Sequence, residues 1–319
     1  MTDLTLGGFH HLTAITANAP GNLDFYTRVL GLRLVKKTVN QDDTTAYHLF
    51  YGDGDATPGS DITFFDWPAA PARRGTHSVT RTGFRVSPAS IPWWHAHLVA
   101  AGAKVSEPSE ASGRLTVAFE DPEGQRLALV ADERNPAPHV WSKSTVPPEH
   151  QILGLGPITM SVPDLAPTEM VLTRVMNMRK VRDYPVSAIS ADTVHVFEMG
   201  EGGPSAELHV AVEPGLAPAR EGAGGVHHVA FRTPDHAGLA AWAERVRGFR
   251  IPSSGEVERF YFRSLYFREP NGVLFEIATD VPGFTADEPL ETLGEHLSLP
   301  PFLEARRASI ESRLQPLGD

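Results

Sequence analysis

Cysteine is absent from all 319 residues. Disulfides, thiolate zinc sites, iron–sulfur clusters and a cysteine nucleophile are therefore excluded together, and any metal must be held by nitrogen and oxygen. Positive charge is also in short supply: 28 Lys and Arg stand against 39 Asp and Glu, a formal charge of -11. Such a balance lacks the basic footprint that nucleic acid or an anionic membrane surface requires, so neither is expected as a partner. No apolar run approaches the ~20 residues that span a bilayer. The opening Met1-Thr2-Asp3-Leu4 has neither the basic nor the apolar region of a secretory signal, which makes cytoplasmic residence the expectation. The remaining composition, 41% hydrophobic and 21% charged, is that of an ordinary globular protein, long enough for two domains.

Two doubled histidines stand out: Gly8-Phe9-His10-His11-Leu12-Thr13 and Gly225-Val226-His227-His228-Val229-Ala230. They head matching apolar runs, and self-comparison shows the runs to be part of a unit repeated four times. Each unit reads as a strand, a turn rich in Pro, Asp or Gly, an amphipathic helix, and further strands. In the first copy the strand is 10–16. The helix runs through Leu23, Phe25, Tyr26, Val29 and Leu30 and stops at Gly31, and strands follow at 32–39, 46–51 and 61–65. The second copy opens near Arg81, with a helix over 93–101. The third opens at Gly156, with a helix over 168–178, and the fourth opens on His227-His228, with a helix over 239–246. Copies two and four end alike, Asp121-Pro122-Glu123-Gly124 against Glu269-Pro270-Asn271-Gly272, each a turn before an apolar strand. The expected division is 1–134 for copies one and two, a linker at 135–150 carrying Pro136, Pro138, Pro147 and Pro148, 151–282 for copies three and four, and a polar tail at 283–319. The tail holds one helix, 302–314, read as packing along the body of the fold.

Four βαβββ units, with histidine on a first strand and Glu276 on a last strand, resemble the vicinal-oxygen-chelate superfamily of glyoxalases, extradiol dioxygenases and bleomycin-resistance proteins. Several phrases are similar to its hydroquinone-type ring-cleaving dioxygenase branch: His10-His11-Leu12-Thr13, Phe25-Tyr26, Gly31-Leu32-Arg33-Leu34-Val35-Lys36-Lys37, Tyr47-His48-Leu49-Phe50-Tyr51-Gly52-Asp53 and Thr57-Pro58-Gly59. The resemblance implies an α+β fold of two domains with curved, cup-like mixed sheets. It also implies Fe(II), with Mn(II) as the alternative, and O2 as co-substrate opening a hydroquinone or related catechol. Self-association is a further implication. The same fold also serves glyoxalase-like isomerases or lyases, and metal-free proteins that bind aromatic drugs; both stand as alternatives.

Strand geometry selects among the histidines. Neighbouring residues of a strand point to opposite faces, so one strand cannot offer both members of a pair to one ion. His11 shares a face with Thr13, and His228 with Ala230 and Arg232. His10 falls with Leu12 and Ala14, and His227 with Val229 and Phe231, the more apolar set that suits a helix-covered side. His11 and His228 are also the ligand positions that the resemblance implies, with Glu276 as third ligand. Two histidines and a carboxylate on one face describe the triad of non-haem Fe(II) oxygenases. At the His11 position copy two has Arg81 and copy three Pro157; at the Glu276 position copy one has roughly Thr63 and copy two Ala128. One site is therefore expected, with Glu207 of copy three as the competing carboxylate. The resemblance further implies supporting roles for His10, Thr13, His227, Arg259 and Tyr266. For Arg259 the alternative is a surface cation beside Glu256 and Glu258, and for Tyr266 it is strand packing. Trp93, Trp94, Phe260 and Phe262 are candidates for a pocket wall or for the core. His48, His95, His97, His195 and His209 have no matched context and read as surface or hydrogen-bonded core histidines.

Overall fold

The computed structural model describes residues 4–187 and 189–317. Unit one comprises β1 (Phe9–Thr16), α1 (Ala19–Asp24), β2 (Arg33–Val39), β3 (Tyr47–Gly52) and β4 (Asp61–Asp66). Unit two has β5 (Ser78–Val86), α2 (Ile91–Ala100), β6 (Lys104–Val105), β7 (Ser109–Ala111), β8 (Arg114–Glu120) and β9 (Arg126–Ala131). Unit three has β10 (Leu155–Val162), α3 (Leu165–Met170), β11 (Arg179–Pro185), β12 (Thr193–Glu198) and β13 (Glu207–Val212). Unit four has β14 (Val226–Thr233), α4 (His236–Gly248), β15 (Ser253–Glu258), β16 (Arg263–Arg268) and β17 (Leu274–Thr279).

The units associate crosswise. One sheet runs β15-β16-β17-β14-β1-β4-β3-β2 and joins units four and one; the other runs β11-β12-β13-β10-β5-β9-β8-β6, with β7 beside β8, and joins units three and two. Within a unit the first and last strands are parallel, as β1 with β4 and β14 with β17. A parallel pair needs a crossover, and the helix supplies it. Between units the contact is antiparallel, β1 on β14 and β5 on β10. This is the α+β architecture of two cupped mixed sheets that the resemblance implies. No helix among the described residues is long and apolar enough to cross a membrane.

Local sequence explains the helices. Asn18, Asp164 and Asp235 accept hydrogen bonds from the backbone N–H groups of Gly21, Ala166 and Gly238, capping α1, α3 and α4. Where apolar spacing predicts uninterrupted helices in copies one and three, the structure has a π turn instead, Phe25–Val29 after α1 and Val171–Val175 after α3. The extra residue per turn carries Phe25, Tyr26 and Val29, and likewise Val171, Leu172 and Val175, into the interior. One continuous core links Tyr26, Trp94, Leu172 and Trp242 of the helical segments to Leu12, Phe231 and Phe275 of the strands.

The tail departs from the single predicted helix: it forms α5 (Pro301–Glu304) and α6 (Arg307–Glu311), with Arg306 off the helical conformation at φ -108 and ψ 5. Leu303 and Ile310 are buried against Val39, but the residues between them are polar apart from two alanines, so no packing holds the intervening turn in register. The tail also supplies charge. Lys36 is fully buried, and its ammonium donates to Asp287 at 2.8 Å and to Glu288. Asp287 accepts a second bond from the Tyr261 hydroxyl at 2.8 Å.

Removing the cation would leave two half-buried carboxylates facing each other. Lys36→Ala is expected to lower the unfolding free energy by about 3 kcal/mol in a denaturant titration. Lys143→Ala, which breaks an exposed pair with Glu295, should change it by less than about 1 kcal/mol. Equal effects would contradict the buried cluster.

Candidate metal centre

Two register shifts interrupt the β1–β14 ladder. Phe9 pairs with Phe231 but His11 with Ala230, and Thr13 pairs with His228 but Ala14 with Val226. His10 and His227 are the extra residues of two β-bulges. Strict alternation puts both on the helix-covered side, and the structure corrects this. The bulges keep Phe9, Leu12, Ala14, Val229 and Phe231 in the core while His10 and His227 turn aside. The His10 ring lies 5.2 Å from that of Phe262, and the His227 ring 5.5 Å from Phe65 and 5.7 Å from Trp67.

On the open face His11, His228 and Glu276 converge. The His228 Nε2 is 2.8 Å and the His11 Nε2 3.2 Å from Glu276 Oε2, and the two Nε2 atoms are 3.4 Å apart. All three side chains are buried. Donors that bind one ion at about 2.1 Å and at right angles to each other stand about 3.0 Å apart, so the spacing suits three adjacent corners of an octahedron. Glu276 Oε1 accepts from the Ser264 hydroxyl at 2.5 Å, while Oε2 has no hydrogen-bond donor of acceptable geometry. Burial would raise the Glu276 carboxyl, but the facing His11 and His228 bring it well below the usual range whenever those rings carry positive charge.

The bulged histidines fix which ring nitrogens are free. His10 Nε2 lies 3.1 Å from the Thr279 carbonyl, which can only accept, so this nitrogen carries the proton. Its Nδ1 is then an acceptor for the His11 Nδ1–H at 2.9 Å, and His11 Nε2 is left with a lone pair toward Glu276. His227 and His228 repeat the contact, Nδ1 to Nδ1 at 2.8 Å, with Glu221 3.8 Å from His227 Nε2. Burial first, and then the neighbouring His11, pushes the His10 ring down to about 3; burial and His228 push His227 down to about 4. Both rings are therefore neutral near pH 7. Three lone-pair donors aimed at one buried point fit a cation.

A cavity of about 50 Å³ opens beside this point, lined by His48, Phe50, Phe65, Arg259, Phe262 and Tyr266. Tyr266 is the cross-strand partner of Glu276. The Arg259 Nε donates to the Tyr266 hydroxyl at 3.3 Å, and its guanidinium pairs with Asp42 at 2.9 Å. Arg259 thus faces the site from the β15–β16 loop, away from Glu256. Thr13 bonds Thr63 at 2.8 Å, and Thr63 bonds His48 at 2.9 Å. His48, for which the sequence predicts a surface or hydrogen-bonded core histidine, lies on the wall of the cavity, its pKa held well below the ordinary value by burial. Its signal in the sequence is its place in the phrase Tyr47-His48-Leu49-Phe50-Tyr51-Gly52. Trp93 and Trp94 are elsewhere: Trp94 is in the core and donates to the His150 carbonyl at 2.8 Å, and Trp93 stacks between His97 and His150. Phe262 lies 5.2 Å from His11 and lines the cavity, whereas Phe260 packs on Tyr261 outside its lining. His95, His97 and His195 pair with Glu107, the Val29 carbonyl and Asp183.

The second cup is occupied by its own charges. In β13 it is His209, opposite Thr159, that holds the register position of Glu276, since Ala230 opposes Glu276 in the same way. Glu207 lies two residues earlier and is taken by Arg114 at 2.6 and 2.8 Å, Arg182 at 2.6 Å and His209 at 3.0 Å. Burial would raise its carboxyl, yet His209 and the two guanidinium groups hold it far below the usual range. Among the described residues, His11, His228 and Glu276 form the one group of three suited to a metal.

Two cupped sheets, one of them holding such a triad, define a chelate-fold protein. The chain belongs to the Glyoxalase/Bleomycin resistance protein/Dioxygenase superfamily, matching it over residues 8–129 and 154–277. It is 45% identical over 317 residues to the "Putative ring-cleaving dioxygenase MhqA" of Bacillus subtilis, covering 98% of this chain and 100% of that one. It is 30% identical over 305 residues to the chlorohydroquinone/hydroquinone 1,2-dioxygenase of Sphingobium indicum, covering 93% and 92%. A crystal structure of a dioxygenase of unproven activity from Bacillus subtilis superimposes with a TM-score of 0.89 at 34% identity over 98% and 97% of the two chains. Glyoxalase I from Zea mays shares the fold, with a TM-score of 0.65 at 15% identity over 91% and 97%.

Because the donors are preformed in the folded chain, a divalent first-row metal added to chelator-treated protein is expected to raise the thermal midpoint, saturating at one equivalent. At a hundredfold excess over Kd the gain is about 2.7 kcal/mol. A midpoint indifferent to Fe(II), Mn(II) and Zn(II) would show that the triad holds no ion.

Proposed function

We propose that the chain is a metal-dependent ring-cleaving dioxygenase that uses O2 to open a substituted hydroquinone or related catechol. His11, His228 and Glu276 are its metal ligands, and Fe(II) is the metal, with Mn(II) the alternative. The observation that carries this reading is the three-donor set with one side open to an aromatic-walled cavity. Kinship with proteins named for ring cleavage supports it. A four-ligand isomerase site would take a further donor from β4, but the register equivalent of Glu276 there is Thr63, tied to Thr13 and His48.

Bound Fe(II) would supply electrons and adjacent open positions where a phenolate and O2 can meet. The rest falls to the protein. His10 and His227 lock the tautomers of His11 and His228 and so keep their Nε2 atoms available. Tyr266 presents a hydroxyl at the cavity and Arg259 a fixed positive charge behind it, suited to a substrate oxygen that becomes anionic. Thr13 holds Thr63 and through it His48, whose neutral ring can take or return a proton on the opposite wall. Phe50, Phe65 and Phe262 exclude water and offer flat apolar surface to an aromatic ring. Both atoms of O2 enter the product: the oxygenated carbon of the broken bond leaves as a carboxylic acid and its neighbour as a carbonyl.

Anaerobic loading with Fe(II), followed by O2 and methyl- or chlorohydroquinone, is expected to consume O2 and give a ring-opened chromophore. Stoichiometric iron with no turnover on any hydroquinone or catechol would remove the substrate class. His11→Ala, His228→Ala and Glu276→Ala should each lose most of the iron; full iron in one of them strikes that residue from the ligand set. Tyr266→Phe should keep its iron and lower kcat by about tenfold or more, and an unchanged kcat would exclude the hydroxyl from the reaction.

A further inference from the structure

A cavity of about 210 Å³, larger than the one at the triad, lies at the junction of the two sheets. The segments before β5 and before β14 cross there antiparallel, Arg73 and Arg220 exchanging backbone hydrogen bonds at 2.9 Å in each direction. In a chain of net charge -11, the lining of this cavity includes Arg73, Arg74, Arg126, Arg220 and Arg268 against one acid, Glu221. Arg74 is engaged with Glu120 and the Gly124 carbonyl, and Arg268 with the Gly272 carbonyl. Arg126 and Arg220 make no side-chain hydrogen bond or ion pair among the described residues, and Arg73 only a 3.5 Å contact to the Pro218 carbonyl. Beside Arg126 on the lining is Gln125, 2% exposed, with both its carboxamide oxygen and nitrogen unpartnered. A buried amide left in that state is costly and unusual in a native interior unless something else completes it. Burial, then Arg74 and Arg81, lowers the pKa of Arg126, so its surroundings favour an added negative charge.

We propose that this inter-sheet cavity binds a small organic carboxylate, gripped by the Arg126 guanidinium and the Gln125 amide, with Arg220 and Arg73 at the mouth. The choice of a carboxylate rests on the ring-opening reading, in which the product is an acid while the phenolic substrate is neutral. An arginine fork matches the two oxygens of such a group. His227 forms part of the wall, and its ring is bonded to His228, so the anion would sit one imidazole away from a member of the triad.

The test is calorimetric titration of chelator-treated full-length protein with maleate, in a buffer free of other carboxylates. Saturable one-to-one binding is expected, weakened at least tenfold in Arg126→Gln and at least threefold in Arg220→Gln. Arg263→Gln, on the far strand beside Glu258, should bind like the unmodified chain. Circular dichroism and metal uptake report whether each variant is folded, and exposed Arg220 serves if Arg126→Gln is not. Absence of saturable binding, or equal binding by a folded Arg126→Gln, overturns the proposal. Binding of inorganic phosphate in place of maleate also overturns it, since the site would then belong to phosphate. Because the titration needs neither metal nor turnover, maleate binding without dioxygenase activity would count against the ring-cleavage reading alone. Turnover without maleate binding would count against the carboxylate site alone.

Discussion

The antiparallel ladder between β1 and β14 is the contact on which the rest of the molecule depends. His11 and His228 are 217 positions apart, and only this pairing brings their Nε2 atoms to 3.4 Å. Each strand then carries its parallel partner with it. β17 brings Glu276 beside Ala230, and β4 brings Thr63 beside Thr13. The chemistry of the open face is thus a product of register. A slip of one residue in the central ladder would put His11 and His228 on opposite faces of the sheet and dismantle the triad.

The two bulges refine that register. Each inserts a histidine without changing which residues face the core, and each inserted ring bonds the Nδ1 of its neighbour. The device is used twice around the local symmetry of units one and four. The cup of units two and three repeats both register shifts in its β5–β10 ladder but places no histidine in them. Arg81 stands at the corresponding position, and the carboxylate of Glu207 is neutralised by Arg114 and Arg182. One cup gathers uncompensated donors, while the other closes its charges on themselves.

Much of this was legible in the sequence because it is periodic. Alternation selects His11 over His10 and His228 over His227 for the open face, and repeat comparison puts Thr63 at the position of copy one equivalent to Glu276; the observed registers have the same relations. What escaped was aperiodic. A bulge is one residue long and leaves no trace in an alternating pattern, so His10 and His227 were given to the wrong side. His48 has no counterpart in another unit, and its place on the wall depends on how β3 curves beside β4. The partner of Arg259 is Asp42, far away in sequence, so neighbouring Glu256 and Glu258 gave a misleading picture of its surroundings. The break in the tail helix and the π turns reflect tertiary packing overriding local spacing, and propensity alone does not anticipate them.

The division of the triad between the first unit and the last also bears on the life of the newly made chain. At ordinary rates of synthesis His11 leaves the ribosome on the order of tens of seconds before His228. Throughout that interval it has no companion, and a lone imidazole holds a metal far more weakly than a completed set. If the triad holds a metal as proposed, the nascent protein would be in effect blind to it, and selection among competing ions would be deferred until the last unit has docked. The ion would then be chosen by a finished, rigid geometry instead of by whichever metal first meets a flexible chain.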